Sequence, residues 1–388
     1  MTCSNVWPSG TLIGLVALLI ALARVPKFQR IFHWLPIPLW CYALPMILRA
    51  GGWLPGDRGS TGWIMTVLFP VALGVLLLGV DLLALSRISG KALVAMLLGI
   101  LGIVAGGPLA LWALRAQLPA EAWKGVGALA ATWTGGSMNM LAVRMVLNIP
   151  DPVFAPLIVV DALIAYGWMA CLVAAKGWEP RLNRWLGAPE SDHPVFHEPP
   201  ASLTRAGARR DQLFGIALAL ILYAVCRWSA RHFSTISLVT STTGWTVLLV
   251  TTGALALSCL PSVRRAGGAI EPLGYPCLYL VLAALGAQAS FSALLSTPVW
   301  VLVGLSCLIV HVSVLAIGGR LLRIPVNLLA TASQANVGGA VSAPLVGAVY
   351  HPSLAPVGLL LAISANAVGT YIGLGTAGLC RWLLHIPV

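Results

Sequence analysis

Apolar stretches separated by short polar turns fill most of this chain. Those long enough to cross a lipid bilayer, about 17–25 residues each, run at 9–25, 62–86, 91–114, 153–175, 213–230, 244–260, 273–294 and 297–318, with a last at 354–379. Segment 34–48 is shorter and carries Pro36, Pro38 and Pro45, which predict a kinked second span. Two further apolar stretches, 122–148 and 326–350, are interrupted by polar residues and paired glycines. The longest hydrophilic stretch, Lys176 to Asp211, combines six basic residues with prolines 180, 189, 194, 199 and 200 and predicts an irregular linker.

The interrupted stretches are the most informative part of the pattern. One reads Ala131-Thr132-Trp133-Thr134-Gly135-Gly136-Ser137-Met138-Asn139-Met140. The other reads Thr331-Ala332-Ser333-Gln334-Ala335-Asn336-Val337-Gly338-Gly339-Ala340-Val341-Ser342. Asp151-Pro152 and Ala155-Pro156 follow the first; His351-Pro352 and Ala355-Pro356 follow the second at an offset of 200. Pro70 to Asp81 also resembles Pro276 to Gln288, both ending in a Gly-x-polar step. This is the signature of an internal duplication: a repeat at 1–175, a linker at 176–212 and a second repeat at 213–388.

A segment facing only lipid has no use for Ser, Gln, Asn and paired glycines, because each polar group at membrane depth needs a partner. Glycines permit a sharp turn and a close approach to a ligand, and the turn frees backbone amides and carbonyls. Thr134, Gly135, Gly136, Ser137 and Asn139, with Ser333, Gln334, Asn336, Gly338 and Gly339, are therefore candidates for binding a substrate or an ion. Close packing of helices through small residues is the alternative. Either break is consistent with a re-entrant hairpin, giving five crossings per half and inverted repeats, or with a crossing broken helix, giving six and parallel repeats. Inverted repeats are expected because alternating access is commonly built from them.

Composition fixes the class. At 59% hydrophobic and 9% charged residues, with a mean hydropathy of +0.92, the chain is expected to be an all-α polytopic membrane protein whose partner is the bilayer. The net charge of +12 sits mainly in loops and at span ends, so it reads as topology and not as a nucleic-acid surface; the basic linker is expected in the cytoplasm. The eight cysteines form no CxxC pair, and neither a zinc site nor a disulfide framework is indicated. The fifteen tryptophans read as interfacial anchors. No P-loop, HExxH, GxSG or GxGD pattern occurs, which argues against an ATP-driven pump and against proteolysis.

Four ionisable residues carry candidate chemistry. Asp161 lies well inside an apolar span, where a carboxylate marks an ion or proton pathway; with Asn139 and Asn336 it is a candidate Na+ ligand. Asp81 stands near a span end, with Gln288 as its repeat mate. His311, alone in an apolar helix, is a candidate proton relay or a hydrogen-bonded packing residue. Arg144 is a candidate for attracting an anion or for pairing with Asp161. Asn366, near the position matching Asp161, is a further polar candidate.

The run Thr134 to Val143 and the run Ala335 to Ala340 resemble the paired signatures of the YjcL-like bacterial membrane proteins. Asp161, the Gly286-Ala287 step, His311 and Gly369-Thr370-Tyr371-Ile372-Gly373 resemble that family as well. The family is grouped with the cation:proton antiporter and anion transporter superfamily, which includes glutamate:sodium, bile-acid and 2-hydroxycarboxylate symporters. Arg144 and Ala340 depart from the family pattern, in which a neutral or acidic residue and a proline are more usual. The resemblance implies two inverted repeats of about five helices, each with a broken helix or hairpin.

The function expected is secondary active transport of a small organic anion or zwitterion coupled to Na+ or H+, without a cofactor and without enzymatic chemistry. The expected setting is the inner (plasma) membrane, as a homodimer by analogy with that superfamily. The alternatives are a cation:proton antiporter with no organic substrate and, from another class, an intramembrane hydrolase using Ser137 with His311.

Overall fold

The structure, a computed structural model, describes residues 7–34, 37–54, 58–81, 89–188, 209–234, 236, 239, 241–288 and 297–384. Most of the linker lies outside these residues. The described residues are almost wholly helical and contain no β-strand. Among the described residues six helices are long and apolar enough to span a bilayer, and shorter apolar helices accompany them. The chain is an all-α polytopic membrane protein.

By contact the chain divides into two units, each drawing segments from both halves of the sequence. The first comprises Met1–Val80, Pro150–Ala162 and Ala206–Thr297. It holds α1 (Trp7–Arg24), α2 (Pro26–Trp34), α3 (Ile37–Ala50), α4 (Arg58–Trp63), α5 (Phe69–Leu77), α11 (Arg209–Ser229), α12 (Thr242–Ser258) and α13 (Pro261–Gln288). The segment read as a kinked second span, 34–48, is for the most part the single helix α3, which carries Pro45 inside it; 35–36 lie outside the described residues and α2 precedes them.

Within the described part of the span expected at 62–86, which ends at Asp81, the helix runs to Leu77, with a π turn at Ile64–Leu68 between α4 and α5; 82–86 lie outside the described residues. Pro70 explains the bulge. It has no N–H to give to the carbonyl of Thr66, four residues back. That carbonyl instead accepts from Tyr223 Oη at 3.2 Å. The span expected at 273–294 starts earlier, because α13 continues back through Arg264, Arg265 and Glu271 to Pro261. Its small residues pack against backbone: a side-chain carbon on Gly286 would collide with the carbonyl of Tyr42. Gln288 donates to Thr61 Oγ1 at 2.8 Å.

The second unit comprises Asp81–Ile149, Leu163–Arg205 and Pro298–Val388. It holds α6 (Gly90–Leu114), α7 (Ala122–Gly135), α8 (Ser137–Leu147), the second half of α9 (Asp151–Ala175), α10 (Glu179–Leu186), α14 (Thr297–Leu321), α15 (Val326–Val337), α16 (Gly339–Tyr350) and α17 (Leu354–Leu383). Glycines set its closest approaches. A side-chain carbon on Gly102 would stand 2.6 Å from His311 Cα, and one on Gly106 2.8 Å from the carbonyl of Cys307, so α6 and α14 meet backbone to backbone. The same holds between α7 and α17, where Gly127 lies against Gly373 and Ala377, and Gly135 against Gly369.

These contacts settle how the broken segments run. Gly373 is flanked by both Ala131 Cβ, at 2.5 Å from a built side-chain carbon, and Val143 Cγ2, at 3.0 Å. In an unbroken helix those two residues would be about 18 Å apart; here α8 folds back along α7. Likewise, Ser333 meets Trp168, and Tyr350 meets the carbonyl of Leu172 one turn further along α9. Unbroken, Ser333 and Tyr350 would be about 25 Å apart. Both segments are therefore hairpins.

They enter the unit from opposite ends. α7 runs antiparallel to α17, from Gly127 beside Ala377 to Gly135 beside Gly369. α16 runs antiparallel to the start of α17, with Gly347 beside Leu354 and Ala343 beside Gly358. Both turns thus arrive near the middle of α17.

Candidate functional site

Every candidate residue in the two hairpins belongs to the second unit. In the first hairpin α7 stops at Gly135 because Gly136 adopts φ 83°, ψ 172°, a backbone region open essentially to glycine alone. The turn is capped by Gly136 N–H donating to the carbonyl of Thr132 at 2.6 Å. Asn139, 1% exposed, closes the tip. Its Nδ2 donates to the carbonyl of Gly135 at 2.7 Å and to the carbonyl and Oδ1 of Asn366 at 3.0 and 2.6 Å. Its Oδ1 accepts from Thr370 Oγ1 at 2.5 Å. Thr134 donates to the carbonyl of Ala130 on its own helix. Gly136 and Ser137 are partly exposed.

The second hairpin turns at Gly338 and Gly339, the latter at φ 73°. Its buried polar residues stand before the turn, on α15, except Ser342, which follows it on α16. Asn336 Nδ2 donates to the carbonyl of Met96 at 3.1 Å and lies in the space left by Gly99, where a side-chain carbon would overlap it. Gln334 Nε2 donates to Ser342 Oγ at 2.8 Å, and the carbonyl of Ala165 is 3.5 Å away. Both amides are fully buried, yet no donor reaches Gln334 Oε1 or Asn336 Oδ1. A buried carbonyl oxygen without a donor costs roughly 1–3 kcal/mol, so each marks a place where a partner would be gained.

Between these residues runs a chain of hydrogen bonds. His311 Nδ1 donates to the carbonyl of Gly99 at 2.8 Å, and Nε2 lies 2.8 Å from Ser333 Oγ. A carbonyl only accepts, so the proton is assigned to Nδ1, and in the neutral ring Nε2 accepts from the serine hydroxyl. Trp168 Nε1 donates to the same Ser333 Oγ at 2.9 Å. The chain ends on a backbone carbonyl, which has no proton to hand on.

The histidine therefore pairs with Ser333 and not with Ser137, the partner the hydrolase alternative requires. Trp168 corrects the reading of the tryptophans as interfacial anchors only. Trp168, Thr370, Gly99 and Ser342 were not singled out for the site by the sequence. The pairing of His311 with Ser333 had a signal: both lie eleven residues from Leu322, in the turn joining α14 to α15.

The remaining candidates take other places. Arg144 is buried in the second arm of the first hairpin, 8% exposed. Asp81 is half-buried in the non-helical stretch after α5. Asp161 lies in the part of α9 that groups with the first unit and is half-buried there. The site at the hairpin tips is built of neutral groups. Among the described residues no cluster of three or more His, Cys, Asp or Glu side chains is placed to hold a metal ion, so a cation here would rest on amide, hydroxyl and carbonyl oxygens.

The uncharacterized membrane protein YjcL of Bacillus subtilis (strain 168) is 23% identical over 351 residues, which cover 84% of this chain and 86% of that protein. Residues 10–383 match the family described as protein of unknown function DUF819. With a match over nearly its whole length, the chain belongs to the DUF819 family.

Proposed function

We propose that this protein is a secondary active transporter that moves a small organic anion or zwitterion, coupled to Na+ or H+, by alternating access. The observation that supports the reading is the meeting of two glycine-turned hairpins, entering from opposite ends, beside the middle of α17. Backbone broken at that depth needs protein or a watery cavity around it, and transport sites are built in such places. α7 and α15 end at the tips without a basic residue in their last turns, so their carbonyls favour a cation. α8 and α16 begin there, and their N–H groups favour a carboxylate.

Under this reading 1–175 and 213–388 are inverted repeats in the inner membrane, the linker 176–212 is cytoplasmic, the protein forms homodimers, and it has no enzymatic role. A cation:proton antiporter without organic substrate is the second reading, favoured by the two amide oxygens that lack donors.

The test is uptake by proteoliposomes of labelled carboxylates and amino acids under an imposed Na+ or pH gradient. Accumulation above the outside concentration, abolished by collapsing the gradient, is expected. Proton movement on a Na+ pulse without added solute would select the antiporter. Mere equilibration of solute under every gradient would sink both readings.

A further inference from the structure

We infer that the crook of the second hairpin binds a monovalent alkali cation through neutral oxygens, with Gln334 Oε1 as its side-chain ligand. The inference rests on the transport reading for its purpose but on separate observations for its location. Gln334 has no exposed surface, and Oε1 has no donor. Its amide is folded back over the turn: a side-chain carbon built on Gly338 would overlap both Gln334 Nε2 and Ser342 Oγ. The oxygen is thereby held beside the end of α15, whose last carbonyls lack helical partners and carry the negative end of the helix dipole. Ser342 Oγ, 4% exposed as a residue, accepts from Gln334 Nε2 and has a second lone pair to offer. The way in is the turn itself, since Gly338, Gly339 and Ala340 are partly exposed and Val341 is exposed.

The chemistry of the donors selects the ion. Oxygen ligands suit a hard cation. The second hairpin, Val326–Tyr350, carries no carboxylate and no basic residue, so the site offers no charge with which to balance a divalent ion and no protein cation to compete. Asn336 Oδ1 is excluded from this site. Residues two apart on a helix project to opposite flanks, and Asn336 packs toward α6 while Gln334 faces α9 and α16. The same oxygens would also accept from an alkylammonium group on a solute, so the experiment includes that source.

The melting temperature of the purified, detergent-solubilised protein is measured against LiCl, NaCl, KCl and methylammonium chloride, with choline chloride holding ionic strength constant. A ligand that binds only the folded state raises the melting temperature saturably. One alkali cation is expected to do so, and Gln334→Met to raise its half-maximal concentration roughly tenfold or more, the loss of one charge-assisted contact. Gln334→Glu serves if the methionine variant does not fold. The Ser342 hydroxyl can turn to donate to the new carboxylate, and the half-maximal concentration should fall.

The inference is overturned if no alkali cation acts beyond choline, if only methylammonium acts, or if neither variant changes the half-maximal concentration. Gradient-driven uptake persisting in any of those cases would leave the transport reading standing and remove only the cation site.

Discussion

The two hairpins share a plan but differ in how their polar groups are satisfied. When Gly135-Gly136 is laid on Gly338-Gly339, Asn139 falls on Ser342, Gln334 on Ala131 and Asn336 on Trp133. The second glycine of each pair takes positive φ, 83° and 73°. The amide side chain follows the turn in the first hairpin, at Asn139, and the amides precede it in the second, at Gln334 and Asn336. Asn139 spends every hydrogen-bonding atom on its own hairpin and on α17. Gln334 and Asn336 use their N–H groups as anchors and leave their oxygens unmatched. One tip is fully hydrogen-bonded; the other keeps two acceptors unmatched. The two turns thus share a backbone form, while a shift of a few residues decides which tip satisfies its polar groups and which leaves oxygens unmatched.

The largest effect that can break this comparison is expected at Asn139. Asn139→Leu removes the partner of Thr370 Oγ1 and of Asn366 Oδ1 together and leaves two polar groups unmatched. At roughly 1–3 kcal/mol per orphaned group, the loss from two is about 2–6 kcal/mol. Asn336→Leu gives up a single hydrogen bond to Met96 and discards an oxygen that had no donor, so about 1 kcal/mol is expected. Melting curves in detergent compare the two directly. Equal losses would mean that the tips do not differ as described.

The glycines beside each tip give an intermediate effect. A side-chain carbon at Gly135 meets Gly369 Cα at 2.9 Å as well as the Asn139 amide, and neither has room to move. At Gly99 the carbon would overlap the Asn336 amide and stand 2.9 Å from His311 Cε1, and the Asn336 side chain can swing because one end is unheld. Gly135→Ala should therefore fall at the upper end of the usual 1–3 kcal/mol for overpacking, and Gly99→Ala at the lower end. Gly99→Ala should still impair uptake more than its stability loss explains, since it displaces Asn336. Normal uptake in that variant would detach Asn336 from the site.

How much of this was legible in the sequence depends on whether the signal was local. The hairpin tips were, because paired glycines beside Asn and Gln in an apolar stretch conflict with a lipid-facing helix. The direction of the hairpins was not. Hairpin and crossing helix give the same local pattern, and the choice appears only when Ala131 and Val143 are found on the same glycine of α17. The π turn before Pro70 was masked because its compensation, Tyr223, lies 157 residues away. Asp161 drew attention as an intramembrane carboxylate, yet the hairpin site is made of neutral oxygens whose importance lies in missing partners. No composition or period records a missing partner. Trp168 was overlooked because tryptophan in a span suits the interface so well that its N–H was not asked for a second use.

The smallest effects sharpen the account of the chain through His311. Ser333→Ala leaves Trp168 Nε1 and His311 Nε2 both unmatched and should cost about 1–3 kcal/mol. Trp168→Phe removes one donor while Ser333 keeps its histidine, and interhelical hydrogen bonds in membranes average about 0.6 kcal/mol. The double variant is the informative one. If Ser333 serves mainly to satisfy its two neighbours, part of the cost of Ser333→Ala is the stranded tryptophan, and adding Trp168→Phe should cost less than it does alone. Strict additivity would mean that the serine and tryptophan do not share that bond in the folded protein. In that case the packing of His311 and Asn336 over Gly99 of α6, and not the hydrogen-bonded chain, would be what joins α14 to the second hairpin.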